Sequence, residues 1–406
     1  MPIETIEVHG HIVDSLILPK ILDAIIEAGA DYELVDVAIG KTNLDTSRAT
    51  IEVRADDQAL LDALLDDLQV HGANRLAQSA AVLATADQDG VLPQGFHSTT
   101  NLETEVLVGG AWRRVENPEM DCGLLVLDEE GEARVRTVPM HRVRRGDRIV
   151  VGSDGVRVQA PDRRSLPGSF EFMGSEVSSE KPKALMIRHV ADRMRAAKEA
   201  GGTVLLVAGP AAIHTGAGPD LAALVEQGWI HCLFTGNGYA THDIESNVLG
   251  TSLGVGVADG VPVEGGHANH VRVINEVRRH GSIAAAVESG FITGGVMHAC
   301  VRAGVPFVLG GSVRDDGPLP DTHTDVAAAA DAMREHVPGV RVALMLATTL
   351  HAIATGNLLP ASVETFCVDI NQAVVTKLAD RGSHQAVGIV TDIGVFVRQL
   401  AGELCS

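Results

Sequence analysis

Residues 203–245, TVLLVAGPAAIHTGAGPDLAALVEQGWIHCLFTGNGYATHDIE, alternate short apolar runs with glycine-rich turns, and this alternation constrains the fold more than any other stretch. Val204, Leu205, Leu206 and Val207, closed by Gly209-Pro210, have the make-up of a strand buried on both faces. The turn at 214–218 leads into Pro219, which suits a first helical position because the N–H it lacks would be unpaired there anyway. That helix is expected to run to about Gly228. A second buried strand follows at 230–234, and Thr235-Gly236-Asn237-Gly238 opens a second helix. Strand, helix, strand, helix predicts a parallel α/β sheet with two free helix N-termini at one edge.

Such an edge is a seat for an anion, since unpaired N–H groups point outward and glycines let a pyrophosphate approach the backbone. The usual dinucleotide fingerprint is absent. Gly216-x-Gly218 and Gly236-x-Gly238 meet Leu221 and Thr241 where a third glycine is needed, and Gly254-x-Gly256 meets Asp259. On spacing alone, a nucleotide cradle and ordinary turn glycines in a chain with 43 glycines both stay open.

A chain of 406 residues with 45% apolar content can bury roughly two or three domain cores. The formal charge of −21 disfavours nucleic acid and anionic membrane, whose binding rests on clustered Lys and Arg. Residues 1–10 carry Glu4 and Glu7 and no basic stretch, so no leader peptide is expected, and no apolar run reaches membrane length. A soluble cytoplasmic protein is the expectation. Cys122, Cys232, Cys300, Cys367 and Cys405 are odd in number and far apart, which predicts free thiols and neither a disulfide framework nor a metal site.

Ahead of the α/β stretch, 1–85 reads β-α-β-β-α. Strands are expected at 5–13, 32–39 and 48–53, and a helix before Gly29; a second helix, capped by Asp56, carries Leu60, Leu61, Leu64, Leu65 and Leu68 as one stripe. This order fits a ferredoxin-like or ACT-like α+β module. Residues 86–160 lack helical periodicity and read as short strands, with two polar clusters, His97-Ser98-Thr99-Thr100-Asn101 and Asn117-Pro118-Glu119-Met120-Asp121-Cys122. These are either binding groups for an amine or carboxylate or a pair of polar loops. Residues 161–183 read as a linker, and 184–406 as the α/β domain.

The end of the chain repeats the strand-then-polar pattern. Strands at 305–309, 341–346, 364–368 and 386–390 run into Gly310 to Pro318, Thr348-Thr349-Leu350-His351, Asp369-Ile370-Asn371 and Thr391-Asp392-Ile393. In an open parallel sheet these sites lie at the carboxyl edge, where ligands bind, so Asp316, Thr348, His351, Asp369 and Asp392 are expected to meet Asn237 on one rim. An Asp after a strand also serves as a helix cap, or as an acceptor for ribose hydroxyls.

The run from Thr235 to Glu245, the run Ser312-Val313-Arg314-Asp315-Asp316-Gly317-Pro318-Leu319-Pro320 and the three terminal strand ends resemble the NAD-dependent ornithine cyclodeaminase family of archaea. They are also similar to the carboxy-terminal part of cyanobacterial arginine dihydrolases, and to the conserved region named for lysine-oxoglutarate reductase/saccharopine dehydrogenase. The resemblance implies a deoxyhypusine-synthase-like NAD-binding domain. It also implies NAD contacts at Asn237, Gly238, Asp316, Thr348, Thr349, Leu350, His351, Asp369, Asp392 and Ile393, with Gly238 and Thr349 departing from the family's usual Ala and Met. An arginine-dihydrolase unit, where one exists, would lie upstream of Met1. The implied activity is conversion of L-ornithine to L-proline and ammonia by internal hydride transfer through NAD. Chemistry and clustering put Glu119 and Asp121 at the substrate amines and His97 in proton transfer. A net amino-acid or saccharopine-type dehydrogenase and a non-catalytic NAD-binding sensor are the competing readings. The partner is a small amino acid, and a homo-oligomer is expected.

Overall fold

The computed structural model describes the chain except for residues 14–16, 42–44, 70, 77–78, 130–131, 160–182, 253–254, 257–265, 316, 375–376, 378–385 and 406. Asp316 and nearly all of the expected linker therefore lie outside the described residues. The chain forms two compact units, Met1–Met173 with Asn357–Ser362, and Gly174–Gly356 with Val363–Ser406.

In the first unit, β1 (Ile3–Gly10), α1 (Ile17–Glu27), β2 (Asp31–Ala38), β3 (Ser47–Arg54), α2 (Gln58–Gln69) and β4 (Ala73–Arg75) form an antiparallel sheet of order β2-β3-β1-β4 with two helices. Alternate residues Ile6, Val8, Ile51 and Val53 pack on Ile21, Ile25, Leu61 and Leu68, so strand period and helix period bury one common face. The helix cap is Asp57, whose Oδ1 accepts the Leu60 N–H at 2.9 Å, in place of the expected Asp56. The short β4 completes a β-α-β-β-α-β order one strand longer than the pattern suggested.

Next come β5 (Val82–Thr85), β6 (Thr104–Val108), β7 (Ala111–Glu116), β8 (Gly123–Glu129), β9 (Glu132–Val138), β10 (Arg148–Val151) and β11 (Val156–Val158), in the order β11-β6-β7-β9-β8-β10-β5. Both faces of β8 are covered, since Leu124 and Val126 belong to one apolar cluster and Leu125 to another.

The second unit contains α3 (Lys183–Glu199), β12 (Thr203–Ala208), α4 (Ala211–His214), α5 (Gly218–Glu226), β13 (Cys232–Gly236), α6 (Asn237–Val248), β14 (Thr251–Ser252), β15 (Val255–Gly256), α7 (Asn269–His280), α8 (Ile283–Glu288) and α9 (Val296–Ala303). It continues with β16 (Phe307–Gly310), β17 (Thr322–His323), α10 (Val326–Glu335), β18 (Val340–Leu346), α11 (Leu350–Leu358), β19 (Glu364–Asp369), β20 (Ala386–Val390) and α12 (Ile393–Leu404). The sheet is parallel throughout, in the order β17-β16-β13-β12-β18-β19-β20. Leaving aside the two-residue β17, this is the doubly wound order 3-2-1-4-5-6, with β12 as its first strand and the order reversing between β12 and β18. Val204 to Ala208 are fully buried, as the continuous apolar run predicted. Among the described residues no helix is long and apolar enough to cross a membrane.

Candidate functional site

At a reversal of strand order the connections diverge to opposite faces of the sheet, and a crevice opens beyond the strand ends. Here β12 ends in Gly209-Pro210 and β18 in Ala347-Thr348. Gly209 N–H donates to Leu346 O at 2.9 Å, and a Cβ on Gly209 would overlap the carbonyl oxygen of Ala347. Ala347 itself holds φ of 48°, a conformation a side chain disfavours. Two backbones thus touch at the switch point, a contact that the sequence does not announce. Gly209-Pro210 was visible as a strand terminator; the left-handed Ala347 has no sequence signal.

Of the residues expected on one rim, His351, Asn237, Asp369 and Asp392 stand at strand ends or helix starts of this sheet, and Asp316 lies outside the described residues. His351, early in α11, lies over the ends of two further strands: a Cβ on Gly236 would come 3.1 Å from its Nε2, and one on Gly310 would come 3.1 Å from its Cε1. Burial pushes the His351 imidazole below its ordinary pKa, so the ring is held neutral. Asn237 begins α6; it is buried, and its Oδ1 accepts the Leu319 N–H at 2.9 Å and lies 3.3 Å from the Thr322 hydroxyl. The Asn237 side-chain NH₂ is its remaining donor group. Gly238 follows with room to spare, since a Cβ there would meet Pro210 Cγ at 3.6 Å.

On the other side of the switch point, Asp369 closes β19 and accepts the Asn371 N–H at 2.8 Å through Oδ1. Asp392 is exposed and caps α12 by accepting the Val395 N–H at 2.9 Å. A Cβ on Gly394 would come 2.8 Å from Thr215 O, which brings the α4 end to the start of α12. Thr348 and Thr349 are half-buried and Leu350 is 80% exposed. Ile393 has its side chain in the apolar core, so what it can offer a ligand is the N–H of a helix start. His214 closes the short helix α4 where a plain turn was expected.

In the first unit the two polar clusters are stitched together through Thr99. Its hydroxyl donates to Glu119 O at 2.6 Å and accepts the Cys122 N–H at 3.0 Å, while Asp121 N–H donates to Thr99 O at 3.0 Å. The returning segment joins them, with Met120 N–H on Asn357 O at 2.9 Å and Asn357 Nδ2 3.5 Å from Asp121 Oδ2. Asn117 and Asp121 hold left-handed φ of 47° and 61°. Glu119 is 5% exposed, Asp121 is exposed, and Cys122 is a buried free thiol. His97 Nδ1 lies 3.2 Å from Gly152 O, an acceptor, which fixes the proton on Nδ1 and leaves Nε2 as the basic atom.

A doubly wound parallel sheet with polar groups gathered at the carboxyl side of its switch point defines a Rossmann-type α/β protein. The comparisons agree. The profile described as arginine dihydrolase ArgZ-like, C-terminal, Rossmann fold matches residues 188–400; its first-region companion matches 103–187, and the LOR/SDH bifunctional enzyme conserved region matches 3–102. An ornithine cyclodeaminase of Methanothermobacter thermautotrophicus is 49% identical over 98% of this chain and 97% of its own length. The chain belongs to the ornithine cyclodeaminase family. Among solved structures, apo ArgZ, an arginine dihydrolase from the ornithine-ammonia cycle in cyanobacteria, superposes with a TM-score of 0.85 at 35% identity, over 100% of this chain and 58% of that one. The ternary complex of AgrE, the Nostoc bifunctional arginine dihydrolase/ornithine cyclodeaminase, with ornithine and NAD⁺ matches with a TM-score of 0.54 at 40% identity, over 100% of this chain and 57% of that one.

Proposed function

We propose that the protein is an NAD-dependent ornithine cyclodeaminase, converting L-ornithine to L-proline and ammonia. The observation that carries this reading is full-length similarity, at 49% identity over 97% of the relative, to a protein bearing that activity in its name. The complex of AgrE with ornithine and NAD⁺ supports both the substrate and the cofactor.

The residues at the switch point fit a dinucleotide. Gly209, Gly236, Gly310 and Gly394 let Ala347, His351 and Thr215 pack closely on the strand and helix ends, and the starts of α6 and α12 present N–H groups suited to a pyrophosphate. We assign binding to Asn237, Gly238, Asp316, Thr348, Thr349, Leu350, His351, Asp369, Asp392 and Ile393. Asp369 and Asp392 each have carboxylate lone pairs beyond their backbone bonds and would accept from ribose hydroxyls. Bound NAD supplies a site that accepts hydride from the substrate Cα and later gives it back, so it is not consumed. Glu119 and Asp121 are assigned to the substrate's ammonium groups by charge, and His97 Nε2 to a proton. The reading includes a cytoplasmic homo-oligomer. Free thiols at all five cysteines support a reducing compartment, and the exposed Leu34, Val35 and Val37 along edge strand β2, with Ile39 just beyond it, support the front module as the pairing surface.

The test is incubation of purified protein with NAD⁺ and L-ornithine, following proline, ammonia and NADH. Equal proline and ammonia without net NADH is expected; stoichiometric NADH means a dehydrogenase, and ligand-dependent assembly without product means a sensor.

A further inference from the structure

One face of α6 carries a second polar assembly that the cofactor assignment leaves unused. His242 and Glu245 follow Gly238 by four and seven residues, so the three share a face of the helix. Glu245 is 0% exposed, and both of its carboxylate oxygens are engaged: Oε2 lies 3.1 Å from His242 Nδ1, and Oε1 accepts the Thr251 hydroxyl at 2.8 Å. Thr251 in turn accepts an N–H from Asn269 at 2.9 Å. The His242 ring meets the His214 ring edge to face, centroids 4.9 Å apart, and His214 Nδ1 is 2.7 Å from Ser252 Oγ. Exposure grades along the set, from exposed His214 through His242, with 12% of its side chain exposed, to the buried carboxylate. A carboxylate only accepts, so the shared proton sits on His242 Nδ1 and Nε2 of the neutral ring is a base.

We propose that His242, oriented by Glu245 and coupled to His214, takes the proton of the substrate's α-ammonium and returns it to the departing ammonia. This rests on the ornithine reading above. That reaction turns a singly cationic diamino acid into net-neutral proline and one ammonium ion, so no net proton is consumed. A base that takes a proton at the start must store it. The N–H bond of the α-ammonium breaks, its electron pair stays on nitrogen, and the proton bonds to His242 Nε2. The side-chain ammonium gives one proton to solvent and its freed amine bonds to the former Cα; as the old Cα–N bond breaks, its electron pair leaves with nitrogen, which takes the stored proton and departs as ammonia, and the solvent proton makes it ammonium. The stored charge forms beside buried Glu245, which stabilises it, and the second imidazole makes charging both rings costly, so the set holds one proton. Among the described residues, Glu245 on the same helix bonds the His242 ring and the neutral Ser252 of β14 bonds the His214 ring, while the neutral Thr251 and, through it, Asn269 hold Glu245.

The experiment compares wild type, H242A, E245Q and H214A for proline formation across pH and for NAD⁺ affinity by fluorescence titration. Loss of about 10²- to 10⁴-fold in kcat is expected for H242A, with NAD⁺ affinity within about threefold of wild type and partial rescue by imidazole. E245Q, lacking the anion that stabilises the imidazolium, moves the acid limb of the kcat profile to lower pH. H214A, altered at an exposed side chain, moves that limb to higher pH with a smaller loss, and decides the matter if E245Q does not fold. Wild-type turnover with unaltered H242A and H214A profiles overturns the proton-holding set alone. A wild type that forms no proline from ornithine overturns the reading beneath it, and the set with it.

Discussion

At the scale of single residues, the glycines of the switch point divide by what a methyl group would meet. Gly238 stands in the first turn of α6, where glycine costs a helix about 0.5–1 kcal/mol relative to alanine, and a Cβ there makes only ordinary contact with Pro210. Gly238→Ala is therefore expected to raise stability by about 0.5–1 kcal/mol in urea unfolding, and a lower urea midpoint would show that the added methyl does not fit beside Pro210. Gly209 is the opposite case. Its added carbon would overlap a backbone oxygen, and Ala347 cannot retreat without breaking its N–H bond to Val368 O at 3.0 Å. Gly209→Ala should cost about 3 kcal/mol or more; a variant with wild-type urea midpoint and NAD⁺ affinity would show that the two loops move freely.

Among the elements, α9 shows why part of the fold escapes a reading of the sequence. Its start has no local Ser, Thr or Asp cap. The cap comes from Asp243, 53 positions upstream, whose Oδ1 and Oδ2 accept the N–H groups of Val296 and Met297 at 3.0 and 2.8 Å. Tertiary structure supplies the signal, so periodicity over eight residues could not. Strands β12, β13, β18, β19 and β20 were legible, because a strand buried on both faces writes itself as a continuous apolar run ending in polar turn residues. The polar residues that follow these strands were legible for the same reason. The switch-point backbone and the His242–Glu245 pair were not, since one depends on a left-handed Ala347 and the other on helices brought together by the fold. Replacing Asp243 by Asn tests the distant cap. An amide keeps one acceptor but turns its NH₂ toward the second backbone N–H, so a loss of about 1–3 kcal/mol is expected. Hydrogen exchange should quicken at residues 296 and 297 first. A loss below about 0.5 kcal/mol would mean that only one of the two bonds counts.

For the whole molecule, acid should destabilise well before the carboxylates titrate. Burial holds His71, His189, His214, His231 and His351 below the ordinary histidine value. A group with a lowered folded pKa binds fewer protons in the native state. Its stabilisation is whole above the unfolded value of 6.5 and is lost as pH falls from there through the lowered folded value. Asp243 has the opposite sign. Burial raises it from 3.8 to about 6 against the two N–H bonds that lower it, so its contribution is lost as pH rises from 3.8 to about 6 and is flat above. Between about pH 7.5 and 6, then, the histidines decide the slope, and the urea midpoint should fall on acidification. His231 has the most direct reason to stay neutral, because its Nδ1 accepts the Val204 N–H at 3.1 Å and a proton on that atom breaks the bond. Lys198 nearby adds repulsion to the cost of burial. An Asn side chain can place Oδ1 where that nitrogen stood and accepts at every pH. His231→Asn is therefore expected to reduce the fall in midpoint between about pH 7.5 and 6, with little change at the upper end. An unchanged slope would remove His231 from the set that makes the protein acid-sensitive, and a midpoint that rises on acidification would show that charge relief in a chain of net −21 outweighs all five.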